Sequence, residues 1–401
     1  MRILVLAHRI PYPPHTGDKT RAFHVARYLS RRHHLTLGFL VDDRRDLAHL
    51  APLREAIPEL EFGRLWKPWS VAKGLAGLLA GRSLSLPYFR SGALRRRVDR
   101  RVRVARYDVV YVSSSPMAQY ARLLGLPVVM DFVDVDSDKW RQYAEHFAAP
   151  RSWLYRAEAR RLQRCEAEIA RWVHSCVLAT PPEEALLKSF APWARTMVIP
   201  NGIDLEYFQP LEPDRSPRSV IFTGAMNYLP NIDAVKFFCD EILPAVRRTI
   251  PETKLYIVGL NPSSEVVRLG ATPGVTVTGT VPDVRPYYAR ASVCVAPLRI
   301  GRGVQNKVLQ AMAMGVPVVA SGLAQRGLGA AAGTHLHVED DPARFAARVV
   351  ELLGSPEARR MMARRARAFV EGHHAWDASG ARVEQLLVDA ARVTGGMGAV
   401  A

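Results

Sequence analysis

The apolar run from Ala291 to Leu298 is rich in Val and bounded by Pro297, which predicts a strand buried on both faces. A glycine-bearing loop follows, with Gly301 and Gly303 flanking Arg302. From Gln305 the apolar residues Val308, Leu309, Met312 and Ala313 recur at helical spacing, and Gly315 closes that helix just before a strand at Pro317–Ala320. Similar alternation runs through the whole chain. Strands are predicted at Arg2–His8, Leu35–Val41, Glu61–Leu65, Asp108–Ser113, Pro127–Val133, Cys176–Ala179 and Thr196–Ile199. Helical stretches separate them, including Lys19–Arg31, Asp46–Ala56, Met117–Leu124, Asp138–Phe147 and Trp153–Trp172. A second series begins with a strand at Ser219–Thr223, a loop at Gly224–Asn227 and a helix at Asn231–Arg248, and continues with strands at Lys254–Val258 and Val275–Thr278. From about Pro356 the pattern is helical. Such a rhythm predicts an α/β protein with parallel sheets.

At 401 residues two domains are expected rather than one core. The turn-rich stretch Pro200-Asn201-Gly202-Ile203-Asp204 marks the boundary, and a linker is placed near 200–217. Cys165, Cys176, Cys239 and Cys294 lie far apart in apolar contexts with no C-x-x-C pair, which suits buried reduced thiols in a reducing cytoplasm rather than a disulfide frame or zinc site. Met1–Ala7 reads as a strand rather than a signal peptide, and no apolar run has transmembrane length.

The formal net charge is +17, and residues 1–110 carry 22 Lys/Arg against 9 Asp/Glu, so 22 − 9 = +13 lies there. No zinc-finger spacing, RNP motif or basic region joined to heptads accompanies it, so nucleic acid is not the expected partner. In residues 66–106, Trp66, Trp69, Leu75, Leu78, Leu79, Leu84, Tyr88 and Phe89 interleave with Lys67, Lys73, Arg82 and Arg90, and seven arginines follow between Arg95 and Arg106. Two readings stand: a segment at an anionic lipid headgroup layer, or a solvated basic helix over a core stripe of Leu94, Val98 and Val102.

The loop at Gly301–Gly303 delivers bare backbone N–H groups, Arg302 and Lys307 to a helix N-terminus, an arrangement suited to a phosphate. Thr16-Gly17-Asp18 after the first strand is a second place for backbone to approach a diphosphate. Asp134-Val135-Asp136 has a D-x-D form, and Asp134, Asp136, Asp138 and Glu145 fall at EF-hand positions one, three, five and twelve. Lys139 in place of the turn glycine and Arg141 in place of an apolar anchor argue against calcium, so no metal site is assigned. Ser137 or Asp136 is expected to cap the following helix, with Asp131, Asp134 and Asp136 crowded at the end of a strand.

The stretch APLRIGRGVQNKVLQAMAMGVPVVAS resembles the donor-nucleotide motif of the retaining group 4 glycosyltransferases, and P-N-G-I-D-x3-F-x-P resembles their entry to the second domain. Gln310 stands where that family has a Glu that binds ribose hydroxyls, and Arg302 where it has a Glu that binds the donor sugar. DVDSDKW resembles the sugar transferases of bacterial exopolysaccharide and exosortase loci. The resemblance implies a GT-B fold: two facing Rossmann-like domains with parallel sheets, and a C-terminal helix crossing back to the first domain. It implies an acceptor-binding domain at 1–199, a nucleotide-sugar domain at 200–375 and the returning helix at 376–401. It further implies a nucleotide-diphosphate sugar as donor substrate, no separate cofactor, and a lipid-linked or polysaccharide acceptor at the inner membrane face. The roles carried over are catalysis for Asp134, Asp136, Arg302 and Lys307, and donor binding for Gly17, Gly224, Asn227, Val281, Arg299, Gly301, Gly303 and Gln310. Asp18 and Lys19 fall on the acceptor side. A non-catalytic nucleotide- or glycan-binding scaffold and a nucleotide-sugar epimerase of the same fold are the alternatives.

Overall fold

The computed structural model describes residues 1–14, 17–211, 218–301 and 303–397, without the side chains of Asp18 and 394–397. Arg302 and the Asp18 side chain, both given roles above, therefore lie outside the described residues. The chain forms two units, Met1–Pro200 with Trp376–Ala401, and Asn201–Ala375.

The first unit holds seven parallel strands: β1 (Arg2–Ala7), β2 (His34–Val41), β3 (Glu59–Arg64), β4 (Val109–Ser113), β5 (Val128–Val133), β6 (Ser175–Leu178) and β7 (Thr196–Val198). Their order is β3-β2-β1-β4-β5-β6-β7. Side chains alternate between two cores. Ile3, Val5 and Ala7 pack with Phe23, Leu29, Val383 and Leu387 on one face. Leu4 and Leu6 pack with Leu94, Val98 and Ile169 on the other. Burial on both faces explains why these strands read as continuous apolar runs. The helix Trp376–Met397 completes this unit by packing on the helix Gly17–Ser30. The Trp376 ring stacks on His24 at 4.9 Å, and Glu384 accepts from Tyr28 Oη at 3.1 Å. Gly380 permits the close approach, since a Cβ there would lie 2.4 Å from Tyr28 Cγ.

The arginine-rich helix Gly92–Val104 packs over the core of the first unit. Leu94 and Val98 are buried, and Arg95, Arg97 and Arg101 are tied to Tyr120 O, Phe62 O and Glu61 Oε1 at 2.9, 2.6 and 2.6 Å. It is a basic helix over a core stripe.

The second unit holds six parallel strands: β8 (Ser219–Thr223), β9 (Lys254–Val258), β10 (Val275–Gly279), β11 (Val293–Ala296), β12 (Val318–Ala320) and β13 (His337–Val338), in the order β10-β9-β8-β11-β12-β13. The stretch 201–208, expected as part of a connector, is packed into this unit. Ile203 N donates to His374 O at 2.7 Å, and Ile203 and Phe208 join the core.

Candidate functional site

In an open parallel sheet, ligands gather beyond the C-terminal strand ends where the strand order reverses. In the second unit that point lies between β8 and β11. The loop after β8 carries Gly224 and Asn227; the loop after β11 carries Arg299, Gly301 and Gly303. Hydrogen bonds lace three neighbouring loops together: Gly224 N to Val258 O at 3.1 Å, Met226 N to Leu260 O at 2.7 Å, and Gly259 N to Gly279 O at 3.2 Å. A Cβ on Gly259 would lie 1.7 Å from Gly224 O, so the packing of these loops requires glycine there. Gly303 has φ +65°, in the left-handed region that glycine enters without strain. Gly301 is buried, with Pro230 of the β8 side 3.7 Å from where its Cβ would be. Behind the loop, Asn306–Ala313 forms a helix without a side-chain cap, in which Val308 N and Leu309 N donate to Gln305 O at 2.9 and 3.4 Å. The elements predicted around Val293–Ser321 are all present.

Lys307 is turned inward. It is 8% exposed, donates to Asn231 Oδ1 at 2.5 Å and lies 4.4 Å from the Phe222 ring centroid. Asn231 in turn donates to Ala225 O at 2.9 Å, so Lys307 holds the β8 loop in place through one intermediary. Burial pulls the Lys307 ammonium down to about 7. Arg299 makes a two-pronged ion pair with Asp233 at 2.6 and 3.0 Å and covers the Phe237 ring, which draws its charge away from the glycine loop. Gln310 Oε1 accepts from Tyr288 Oη at 3.3 Å, and that hydroxyl lies 2.6 Å from Thr223 Oγ1. Val281 is half-buried against the second core, just past β10. The structure thus gathers Gly224, Asn227, Gly301, Gly303, Lys307 and Gln310 on the β8 and β11 sides of the switch point.

The remaining candidates belong to the first unit. Gly17 and Lys19 sit in the first turn of the helix after β1, with Lys19 Nζ 3.4 Å from Asp46 Oδ2. Asp134 and Asp136 follow β5. Asp136 pairs with Lys139 at 2.7 Å, and Asp138 with Arg141 at 2.5 Å. No group of three or more His, Cys, Asp or Glu positioned for a metal occurs among the described residues. The strand ends here are strained: Ser114 after β4 has φ +79°, and the β-branched Val133 has φ +64°.

Two expectations about this acidic segment are corrected. Asp131 does not crowd the strand end; it is fully buried, accepting from Arg21 Nε at 2.6 Å and bonded to Tyr111 Oη. Nor does Ser137 or Asp136 cap the helix, which spans Asp136–His146 without a side-chain cap of its own. Carboxylates from other helices serve instead. Val135 N donates to Glu183 Oε2 at 2.8 Å, and Ser137 N to Glu166 Oε1 at 3.1 Å. Burial pushes both carboxyls up to about 8, with Asp134 adding repulsion at Glu183. An Asp inside the apolar VVMDFV signalled a buried partner for Asp131. Nothing in the sequence separates Glu166 or Glu183 from ordinary helix charge.

Comparison with known proteins agrees with this arrangement. Residues 217–355 match the family model described as Glycosyl transferases group 1. A GDP-mannose-dependent alpha-(1-6)-phosphatidylinositol monomannoside mannosyltransferase of Mycolicibacterium smegmatis is 29% identical over 223 residues, half of this chain; the match spans 58% of that relative's length. Among solved structures, Anabaena Alr3699/HepE in complex with UDP and glucose has a TM-score of 0.70 at 15% identity, covering 97% of this chain and 100% of the other. Sucrose-phosphate synthase from Thermosynechococcus elongatus has a TM-score of 0.72 at 16% identity, covering 97% and 98%. At these identities the likeness shows the fold, the GT-B arrangement of two parallel α/β sheets.

Proposed function

We propose that this chain is a glycosyltransferase that moves a sugar from a nucleotide-diphosphate sugar to a lipid-linked or polysaccharide acceptor. The observation that carries the reading is the convergence of the Gly224–Asn227 and Gly301–Gly303 loops with the Asn306–Ala313 N-terminus, inside the region matched by the family model. The helix N-terminus and its dipole favour a diphosphate there. Charge developing on a leaving diphosphate would be stabilised by these preorganised donors and by Lys307 beneath them, with Arg302 in the same loop. In a retaining reaction the leaving diphosphate itself takes the acceptor proton, so no separate base is required of Asp134 or Asp136. GDP-mannose, on which the Mycolicibacterium relative depends, and UDP-glucose, bound in the Anabaena structure, are the first donors to try.

The +13 charge of residues 1–110 supports work at the anionic cytoplasmic face of a membrane, in exopolysaccharide or envelope glycan synthesis. No helix among the described residues is long and apolar enough to cross a membrane. A non-catalytic nucleotide-binding scaffold is the second reading, favoured by the inward-turned Lys307. Release of nucleoside diphosphate from a donor panel, with and without acceptor, separates the two.

A further inference from the structure

The helix Lys67–Leu79, in the long excursion between β3 and β4, is inside out. Its buried face is Ser70, Gly74 and Gly77, and its outward face is apolar. Leu79 is 91% exposed, Trp69 60%, Val71 49% and Leu75 48%, and Trp66 at the N-cap is 70% exposed. At 3.6 residues per turn, Trp69, Val71, Ala72, Leu75, Ala76 and Leu79 share one face with no charged residue among them, bordered by Lys67 and Lys73. The glycines are required by the packing behind: a Cβ on Gly77 would come within 2.7 Å of Pro87, and one on Gly74 within 3.2 Å of Leu84. The excursion is fastened firmly. Buried Glu158 accepts from Leu84 N at 2.6 Å and Ser85 N at 3.0 Å, and Arg161 donates to Leu78 O at 2.7 Å. A fixed helix presenting large apolar side chains to water marks a binding surface.

We propose that this helix docks the protein on an anionic bilayer, laying Trp66, Trp69, Leu75 and Leu79 into the headgroup layer. The charge pattern selects this occupant. No acidic residue occurs from 65 to 98, whereas Lys67, Lys73, Arg82, Arg90, Arg95, Arg96 and Arg97 do. A second copy brought face to face would set these cations against one another; anionic headgroups complement them, and aromatic and aliphatic residues flanked by Lys suit the interface. The inference rests on the membrane location proposed above and is independent of sugar transfer.

Co-sedimentation with phosphatidylcholine vesicles and with mixed phosphatidylcholine–phosphatidylglycerol vesicles tests it, with no sugar donor present, so its failure is distinct from failure of the glycosyltransferase reading. The full chain should bind the mixed vesicles and release in high salt, with its tryptophan emission quenched by lipids labelled in the upper acyl chain. The exposed-face variant Trp69→Ser/Leu75→Ser/Leu79→Ser should keep the wild-type melting temperature and lose at least about tenfold in partition, given the apolar area removed. No binding to mixed vesicles, equal binding by the variant, or a dimer in solution that the variant abolishes would each overturn the proposal.

Discussion

Lys307 donates to Asn231 Oδ1 at 2.5 Å, and Asn231 donates to Ala225 O at 2.9 Å, so one buried cation connects the helix behind the glycine loop to the loop across the switch point. Removing either side chain should loosen the same structure. Lys307→Ala is expected to cost about 2–3 kcal/mol in transition-state stabilisation, as for loss of one preorganised charge. In a double-mutant cycle with Asn231→Ala, the second change should add little. Full additivity in kcat/KM would show that the two act separately.

Gly259→Ala should damage the same site from the β9 side, because its Cβ would lie 1.7 Å from Gly224 O and the backbone must move. A loss on the order of 1–3 kcal/mol in stability is expected from such overpacking, with weaker donor binding in the folded fraction. Denaturant titration and donor calorimetry check both, and wild-type values in both would refute the close packing.

Stability should depend on pH through Glu166 and Glu183. Burial first, and for Glu183 the nearby Asp134 as well, raise each from 4.5 to about 8. Between those values the folded protein holds protons that the unfolded chain has lost. Their contribution is therefore full below about 4.5 and is lost as pH rises through about 8. Glu166→Gln should flatten the fall between these limits; an unchanged slope in chemical denaturation across that range would contradict it. Lys307 acts oppositely, since its lowered value makes stability rise between about 7 and 10.5.

Turnover should survive a chelator. Asp136 and Asp138 are engaged by Lys139 and Arg141, and no metal-sized acidic cluster occurs among the described residues. Inactivation reversed by magnesium or manganese would restore a D-x-D metal role to Asp134 and Asp136.

The legible part of the molecule is the part in which neighbours in sequence decide the structure. The Val-rich run at Val293–Ala296, the glycines at 301 and 303 and the spacing of Val308, Leu309 and Met312 fix a strand, a turn and a helix locally, and all three are present. Contacts between distant residues were not legible. Arg21 and Asp131 meet across 110 positions, and Ser137 and Glu166 across 29. Lys307 lies at a helix start whether its side chain faces a ligand or Asn231, so spacing alone could not choose. The helix at Lys67–Leu79 defeats pattern reading for another reason: Gly74 and Gly77 face inward and Leu75 and Leu79 outward, opposite to the amphipathic rule.

The central claim is that the glycine loop after β11 receives the donor diphosphate. Its most direct test is nucleoside diphosphate release from GDP-mannose and UDP-glucose by the wild type and by Gly303→Val, whose β-branched side chain cannot take φ +65° without strain. The expected result is release from at least one donor by the wild type, stimulated by acceptor, and its loss in Gly303→Val with the melting transition kept. Equal release by both proteins, or a wild type that neither binds nor cleaves any nucleotide sugar, would contradict the account.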